Sequence, residues 1–183
     1  MRGGLKKIFM TTIKKYFLFV FIILFSSLST NAQARKKADK ETVQWRYEIE
    51  CVGTGIQGTY LIKVWSYSKN PNVATEQAKK NAVHGIVFKG FSGGGNGCTT
   101  QKPLARDPNL EQQKEEFFKH FFADGGKYMK FVSMSTDGSV AAGDRLKVSK
   151  KEYKIGVIVS VRKDDLRKDL EAAGIIKSLS SGF

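Results

Sequence analysis

The chain has 183 residues, of which 41% are hydrophobic and three are proline. This composition is typical of a globular chain rather than a disordered one and suits one domain with its own core. The formal net charge is +14; five positive charges and no acidic residue lie in residues 1–34, so the rest of the chain carries +9. Such a domain attracts polyanions such as lipopolysaccharide, anionic lipid or nucleic acid, although scattered lysines are also typical of a well-solvated surface.

The first segment of the chain has the order of an export signal. Lys14 and Lys15 precede an unbroken apolar run over residues 16–25, and small polar residues follow as far as Ala34. A positive start, a short apolar stretch and a small-residue cleavage region make up a secretory signal peptide. The run is shorter than the roughly 20 apolar residues that a membrane-spanning helix needs. We expect cleavage after Ala32 or after Ala34, and no membrane span once the signal is removed.

The next elements are two strands and a helix. Apolar and charged side chains alternate over residues 45–51, which predicts a strand with one buried face. Gly53 and Gly55 interrupt it, and a second predicted strand over residues 58–67 completes an antiparallel hairpin. Apolar residues then recur at helical spacing over residues 73–87, and their small alanines indicate a helix packed closely against the sheet.

An inserted loop and helix follow at about residues 90–125. Five glycines in residues 90–97 indicate a loop. It is not a phosphate-binding loop, because that motif joins a strand to a helix and ends in Gly-Lys-Ser/Thr. Asp107 and Pro108 are typical of a helix start, and the Gly125-Gly126 pair is typical of its end.

The last predicted elements are strands over residues 127–135, 145–148 and 153–161 and a helix over residues 163–173. The overall order is strand, strand, helix, helix, strand, strand, helix, with the segment at residues 145–148 as a weaker strand. Adjacent strands favour an α+β fold, with an antiparallel sheet of about four strands and helices packed mainly on one face. We therefore expect a signal peptide over residues 1–32, a flexible linker over 33–42 and a single α+β domain over 43–183.

Cys51 and Cys98 are the two cysteines of the chain. In an oxidising compartment they can form a disulfide, which would tie the glycine loop to the first strand. Because Cys51 alternates with predicted core residues, a buried free thiol is the other interpretation. Their wide separation excludes a redox Cys-x-x-Cys motif.

The two histidines, His84 and His120, lie on the two predicted helices. Neither has a histidine or cysteine at metal-ligand spacing. Cys98 beside either histidine would form a nucleophile and base if the fold brought them together. An ordinary histidine with its hydrogen bonds satisfied is the simpler interpretation of each. The sequence therefore predicts no catalytic residue, no metal and no cofactor.

Three further groups have both a structural and a functional interpretation. An aromatic cluster on the inserted helix suits a core, an apolar ligand pocket or a partner face. A basic stretch suits a solvated strand face or a phosphate contact. A carboxylate group suits helix capping and ion pairs better than acid–base catalysis. The members are Phe117, Phe118, Phe121 and Phe122; Lys147, Lys150, Lys151 and Lys154; and Asp164, Asp165, Asp169 and Glu171.

Two segments resemble known families. The alanine-spaced stretch over residues 74–82 is similar to a helix of the lipoprotein-20-like family and of the flagellar assembly protein T N-terminal domain. The strand and helix over residues 153–170 resemble the closing elements of the same group. The resemblance implies a small envelope module that acts through protein contacts and offers no catalytic residues. The chain differs by lacking a lipidation cysteine and by its inserted region. The Asn-Ala-Gln at residues 31–33 resembles the signal-peptide ends of Bacteroidetes-type bacteria.

Together these features predict an exported protein of the periplasm or extracellular space, with an interaction or assembly role and no enzymatic activity. The expected partner is an envelope protein, and no nucleic acid is expected. The predicted contact loop contains Phe91, Gly93, Gly94, Gly95 and Asn96, because long loops often carry function. A binder of an anionic or lipid-like ligand, such as lipopolysaccharide, is the alternative, and a hydrolase is the third.

Overall fold

The computed structural model describes residues 37–38, 45–94, 97–135 and 139–178, and its fold is the predicted α+β class. The strands are β1 (Tyr47–Thr54), β2 (Tyr60–Ser68), β3 (Val132–Met134), β4 (Arg145–Ser149) and β5 (Glu152–Val161). The helices are α1 (Pro71–Phe88), α2 (Leu110–Gln113), α3 (Glu115–Phe121) and α4 (Lys163–Ala172), with 3-10 turns at Lys127–Phe131 and Ala142–Asp144. The predicted signal peptide lies outside the described residues, as does most of the predicted linker, where Lys37 and Ala38 are helical.

The five strands form one antiparallel sheet in the order β1-β2-β5-β3, with β4 also paired to β5. The strand β5 pairs with β2 along the whole length of β2. On its other edge β3 pairs with the end near Val161, and β4 pairs with the end near Ile155. The predicted order contains four strands, and the sheet has five. The fifth is β4, which corresponds to the weaker strand predicted at residues 145–148.

Helix α1 packs on one face of this sheet. Its start is set by Asn70, whose Oδ1 accepts a hydrogen bond from the Asn72 N–H at 3.0 Å, and by Pro71 in the first turn. Ala74, Ala78 and Ala82 are completely buried, as the sequence pattern predicts. Small side chains at this spacing let the helix axis lie close to the inward-facing valines and isoleucines of β2 and β5.

The opposite face of the sheet carries Trp65 between two lysines. The Lys63 and Lys154 Nζ atoms lie 5.5 and 5.1 Å from the centre of the Trp65 ring. Gly156 pairs with Trp65 across β2 and β5, and a Cβ at that position would lie 2.9 Å from the ring. The glycine therefore makes room for the indole, and cation–π contacts cover it.

The inserted region differs in detail from its prediction. In place of one helix after Asp107, the chain forms α2 and α3, separated at Lys114. Asp107 stands just before α2, and its Oδ1 accepts a hydrogen bond from the Asn109 N–H at 2.8 Å. The predicted strand over residues 127–135 begins as a 3-10 turn, because Tyr128 and Phe131 are both buried and three-residue spacing places them on one side.

Candidate functional site

Cys51 and Cys98 form a disulfide that ties the glycine loop to β1. The two Cα atoms are 6.0 Å apart, and the cysteines are 47 positions apart in sequence. The bond lies beside a bulge in β1, where the pairing with β2 shifts between Cys51 and Gly53. A disulfide-bonded Cys98 has no thiol, so it does not supply the nucleophile considered in the sequence analysis.

The predicted contact loop is anchored at its base by Phe91. Backbone hydrogen bonds join Phe91 and Gln101 in both directions, at 3.0 and 2.9 Å. The Phe91 side chain is only 7% exposed, so it belongs to the core and does not present its ring to a partner. Gly93 and Gly94 are exposed. Gly95 and Asn96 lie outside the described residues.

A chain of hydrogen bonds runs through the core from β1 to α2. The Tyr47 hydroxyl lies 2.6 Å from His84 Nδ1, and His84 Nε2 lies 3.1 Å from Glu111 Oε1. Since the Glu111 carboxylate only accepts, Nε2 carries the proton and donates it. Nδ1 of the neutral ring then accepts from the Tyr47 O–H. No local sequence pattern predicts this network, because its members come from three elements far apart in the chain.

Burial controls the ionisation of this network. His84 is 2% exposed, and burial lowers its pKa despite the nearby Glu111 carboxylate. Burial by itself raises the pKa of Glu111, but hydrogen bonds from His84 and Trp45 and nearby positive charge, including Lys89, together lower it, so the net shift is downward. Burial and the charge of Glu111 raise the pKa of Tyr47. The resting state is therefore a neutral tyrosine, a neutral histidine and a carboxylate.

Aromatic rings enclose His84. The Trp45 ring stacks on the imidazole with ring centres 3.6 Å apart, and Phe88 lies 4.8 Å away. Trp45 has a φ of +46°, a left-handed conformation that is rare for a large side chain. The Lys89 Nζ donates to the Trp45 carbonyl at 3.2 Å and holds this backbone in place. The ring contacts and both hydrogen bonds leave no nitrogen of His84 open to a substrate.

The other predicted groups have structural roles. Three of the four phenylalanines, Phe118, Phe121 and Phe122, are buried in the core. His120 is exposed and lies 3.7 Å from Glu116. The carboxylates of α4 form ion pairs, in which Arg162 contacts Asp165, Lys163 contacts Asp164, Lys127 contacts Asp169 and Arg167 contacts Glu171.

The strand β4 is the most exposed regular element. All five of its residues are exposed, including Leu146 at 47% and Val148 at 50%. One edge pairs with β5, and no strand within the described ranges pairs with the other edge. The lysines here were predicted as a basic stretch, whereas the exposed apolar side chains were not predicted. Their sequence signal is the alternation of Leu146 and Val148 with charged residues.

The surface around β4 is basic. Lys150 and Lys151 form the tight turn between β4 and β5, and both are exposed. Lys154 belongs to the same predicted basic stretch, but its Nζ contacts the Glu48 carboxylate at 2.6 Å. The lysines of this stretch therefore have two kinds of environment. Lys154 forms an ion pair with Glu48 of β1, whereas Lys147, Lys150 and Lys151 are exposed to solvent at the edge of the sheet.

Two further findings concern the described part of the chain. It holds no group of three or more histidine, cysteine, aspartate or glutamate residues placed to bind a metal ion. Among its helices, none has the length and apolar character needed to cross a membrane. No protein-family model, curated protein or solved structure matches the chain.

Proposed function

We propose that this protein is a non-enzymatic interaction module of the cell envelope, and that it binds an extended segment of a partner protein along the free edge of β4. The observation that carries the proposal is the exposure of the whole strand, which carries two large apolar side chains and whose outer edge pairs with no strand in the described part of the chain. Binding by strand addition uses these features, since backbone hydrogen bonds supply affinity and alternate side chains supply specificity.

An open strand edge is a hazard that proteins limit with charge. Unpaired backbone N–H and C=O groups form a template for another strand, and lysines or bulges normally protect it. In β4 the charged Arg145 and Lys147 alternate with Leu146 and Val148, so protection is incomplete. Exposed apolar residues on such an edge favour the interpretation that a specific partner covers them.

The charge around the edge indicates the chemistry of the partner segment. Arg145, Lys147, Lys150 and Lys151 are all exposed, and Glu152 is the one acidic residue between Arg145 and Lys154. Complementary charge speeds association and selects the partner more than it adds affinity. We therefore assign an acidic, extended protein segment to this edge, and binding weakens as salt screens the charges.

Two features support export and a role without catalysis. A disulfide such as Cys51–Cys98 persists mainly in oxidising compartments, as expected after secretion through the signal peptide. The Tyr47–His84–Glu111 hydrogen-bond chain is enclosed by aromatic rings. Its three ionisable side chains, whose pKa values are shifted, bond to one another rather than facing a substrate. These groups join β1, α1 and α2, and none of them belongs to β4.

The test is capture of a partner in the native cell envelope. The full chain with an affinity tag is expressed in its own cells, and a variant carries Leu146→Ser and Val148→Ser. The matched control is Ile56→Ser, because Ile56 is 85% exposed and lies on the turn between β1 and β2, away from β4. We expect the unmodified chain and the Ile56 variant to capture the same protein, and the β4 variant to lose it.

The captured protein must also contact β4 directly. A photo-crosslinking residue at Lys147 is expected to attach to an acidic segment of that protein, and one at Lys119 on α3 is expected not to attach. Equal capture by all three chains would place the contact elsewhere and refute the β4 edge. Recovery of lipid or lipopolysaccharide in place of protein would refute the protein-binding function.

A further inference from the structure

A second surface feature is a cleft of about 440 Å³ on a different part of the molecule. It lies where the loop before α2 meets the residues that follow α4. Its apolar part is formed by Leu104 and Leu110 on one side and Ile175 and Ile176 on the other. The volume falls within the range of about 300–1,000 Å³ that is usual for small-molecule sites.

Backbone hydrogen bonds hold both walls of this cleft. The N–H groups of Leu104 and Ala105 donate to the carbonyls of Ile86 and Val87 in the last turn of α1, at 3.1 and 2.9 Å. Opposite them, the Ile175 N–H donates to the Leu170 carbonyl at 2.9 Å. The walls are therefore fixed to the ends of two helices, and the cleft is formed before any ligand arrives.

The rim of the cleft is cationic. Arg106 and Lys177 are exposed, and neither forms an ion pair with any residue of the described chain. Arg167 also lines the cleft, but its guanidinium is engaged by Glu171 at 3.5 Å. Among the described lining residues Asp107 is the one acidic residue, and its two carboxylate oxygens accept hydrogen bonds from the Asn109 N–H and the Gln113 side chain, so its charge is partly compensated.

We propose that this cleft binds a small amphipathic anion, with a hydrocarbon body against the apolar walls and a carboxylate held by Arg106 and Lys177. An apolar site with a few polar groups at one end is the usual form of a ligand site. Guanidinium and ammonium groups recognise a carboxylate by charge-assisted hydrogen bonds. This binding is additional to partner binding at β4, and it uses none of the same residues.

The experiment is calorimetric titration of the disulfide-bonded protein with dodecanoate, with dodecanol as the neutral ligand of equal chain length. A variant carries Arg106→Gln and Lys177→Gln. The matched control carries Lys150→Gln and Lys151→Gln, which removes the same charge from the β4–β5 turn. We expect the control to bind dodecanoate as the unmodified protein does, and the cleft variant to bind about tenfold more weakly, since each exposed ion pair contributes modestly.

Several results would overturn the proposal. These are absence of dodecanoate binding, equal binding of dodecanol, and equal loss of affinity in the two glutamine variants. A requirement to delete residues 179–183 before dodecanoate binds would also overturn it, because the chain itself would then be the occupant. The cleft variant is expected to retain the partner capture that depends on Leu146 and Val148. Failure of the cleft proposal and failure of the β4 proposal are therefore separate outcomes.

Discussion

Removal of the Cys51–Cys98 disulfide is expected to destabilise the fold strongly. The bond closes a long loop, since the two cysteines are 47 positions apart. That loop contains β2, α1 and the glycine loop, so the bond restricts the unfolded chain over a large part of the domain. The perturbation is the double substitution Cys51→Ser and Cys98→Ser, which removes the bond and leaves no free thiol.

The magnitude follows from the entropy of loop closure. For a loop of this length, the chain-entropy relation gives about 4 kcal/mol at 25 °C, within the range of about 2–5 kcal/mol for native disulfides. A typical domain has about 5–15 kcal/mol of total stability, so the loss is a large share of it. The unfolded variant is also less compact, because nothing joins positions 51 and 98, so its m-value is expected to rise.

The assay is guanidinium unfolding at neutral pH, followed by circular dichroism. We expect the serine variant and the wild-type protein in dithiothreitol to unfold at the same, lower midpoint, and dithiothreitol to leave the serine variant unchanged. A loss of less than about 1 kcal/mol would refute the reasoning, because it lies outside the range for native disulfides. A difference between the reduced protein and the serine variant would show that the substitutions have a separate local effect.

Three further predictions concern folding stability. Burial lowers the pKa of His84 in the folded protein, so as the pH falls His84 binds a proton in the unfolded chain before it does so in the folded chain. The free energy of unfolding therefore falls as the pH drops below about 6.5. Glu111, whose pKa is also lowered in the folded protein, adds to this loss at lower pH. The stability advantage of wild type over His84→Phe is expected to shrink between pH 7 and pH 5 in urea titrations, and a constant difference would contradict the role of His84. Gly156→Val forces a side chain against the Trp65 ring and is expected to cost roughly 1–3 kcal/mol by chemical denaturation, whereas an unchanged midpoint would show that the ring yields freely. Asn70→Ala removes the cap of α1 and is expected to lower the free energy of unfolding by about 1 kcal/mol, with Asn70→Ser as the variant that retains it.

The regular elements were largely predictable, because their signals are local. Alternation over residues 153–161 predicted β5 almost to the residue, and the alanine repeat predicted the buried face of α1. The inserted region was less predictable. Tyr128 and Phe131 have apolar character that suits a strand or a 3-10 turn, and the choice depends on what they pack against.

The candidate sites were only partly predictable. The glycine loop was visible in the sequence, but burial of Phe91 was not, because it depends on pairing with Gln101. The lysines near β4 were visible, but the free edge follows from strand order. The cleft beside α4 had no sequence signal, since its walls come from segments about 70 positions apart, at Leu104 and Ile175.

The sequence by itself determined β1, β2, α1, β5 and α4 of this protein and which of their faces are apolar. For these elements the spacing between neighbours in the chain decides both. Only the tertiary structure decided that Cys51 meets Cys98, that Tyr47 and Glu111 meet His84, and that one edge of β4 has no partner strand among the described residues. These contacts join residues separated by tens of positions, and the order and packing of whole elements bring them together.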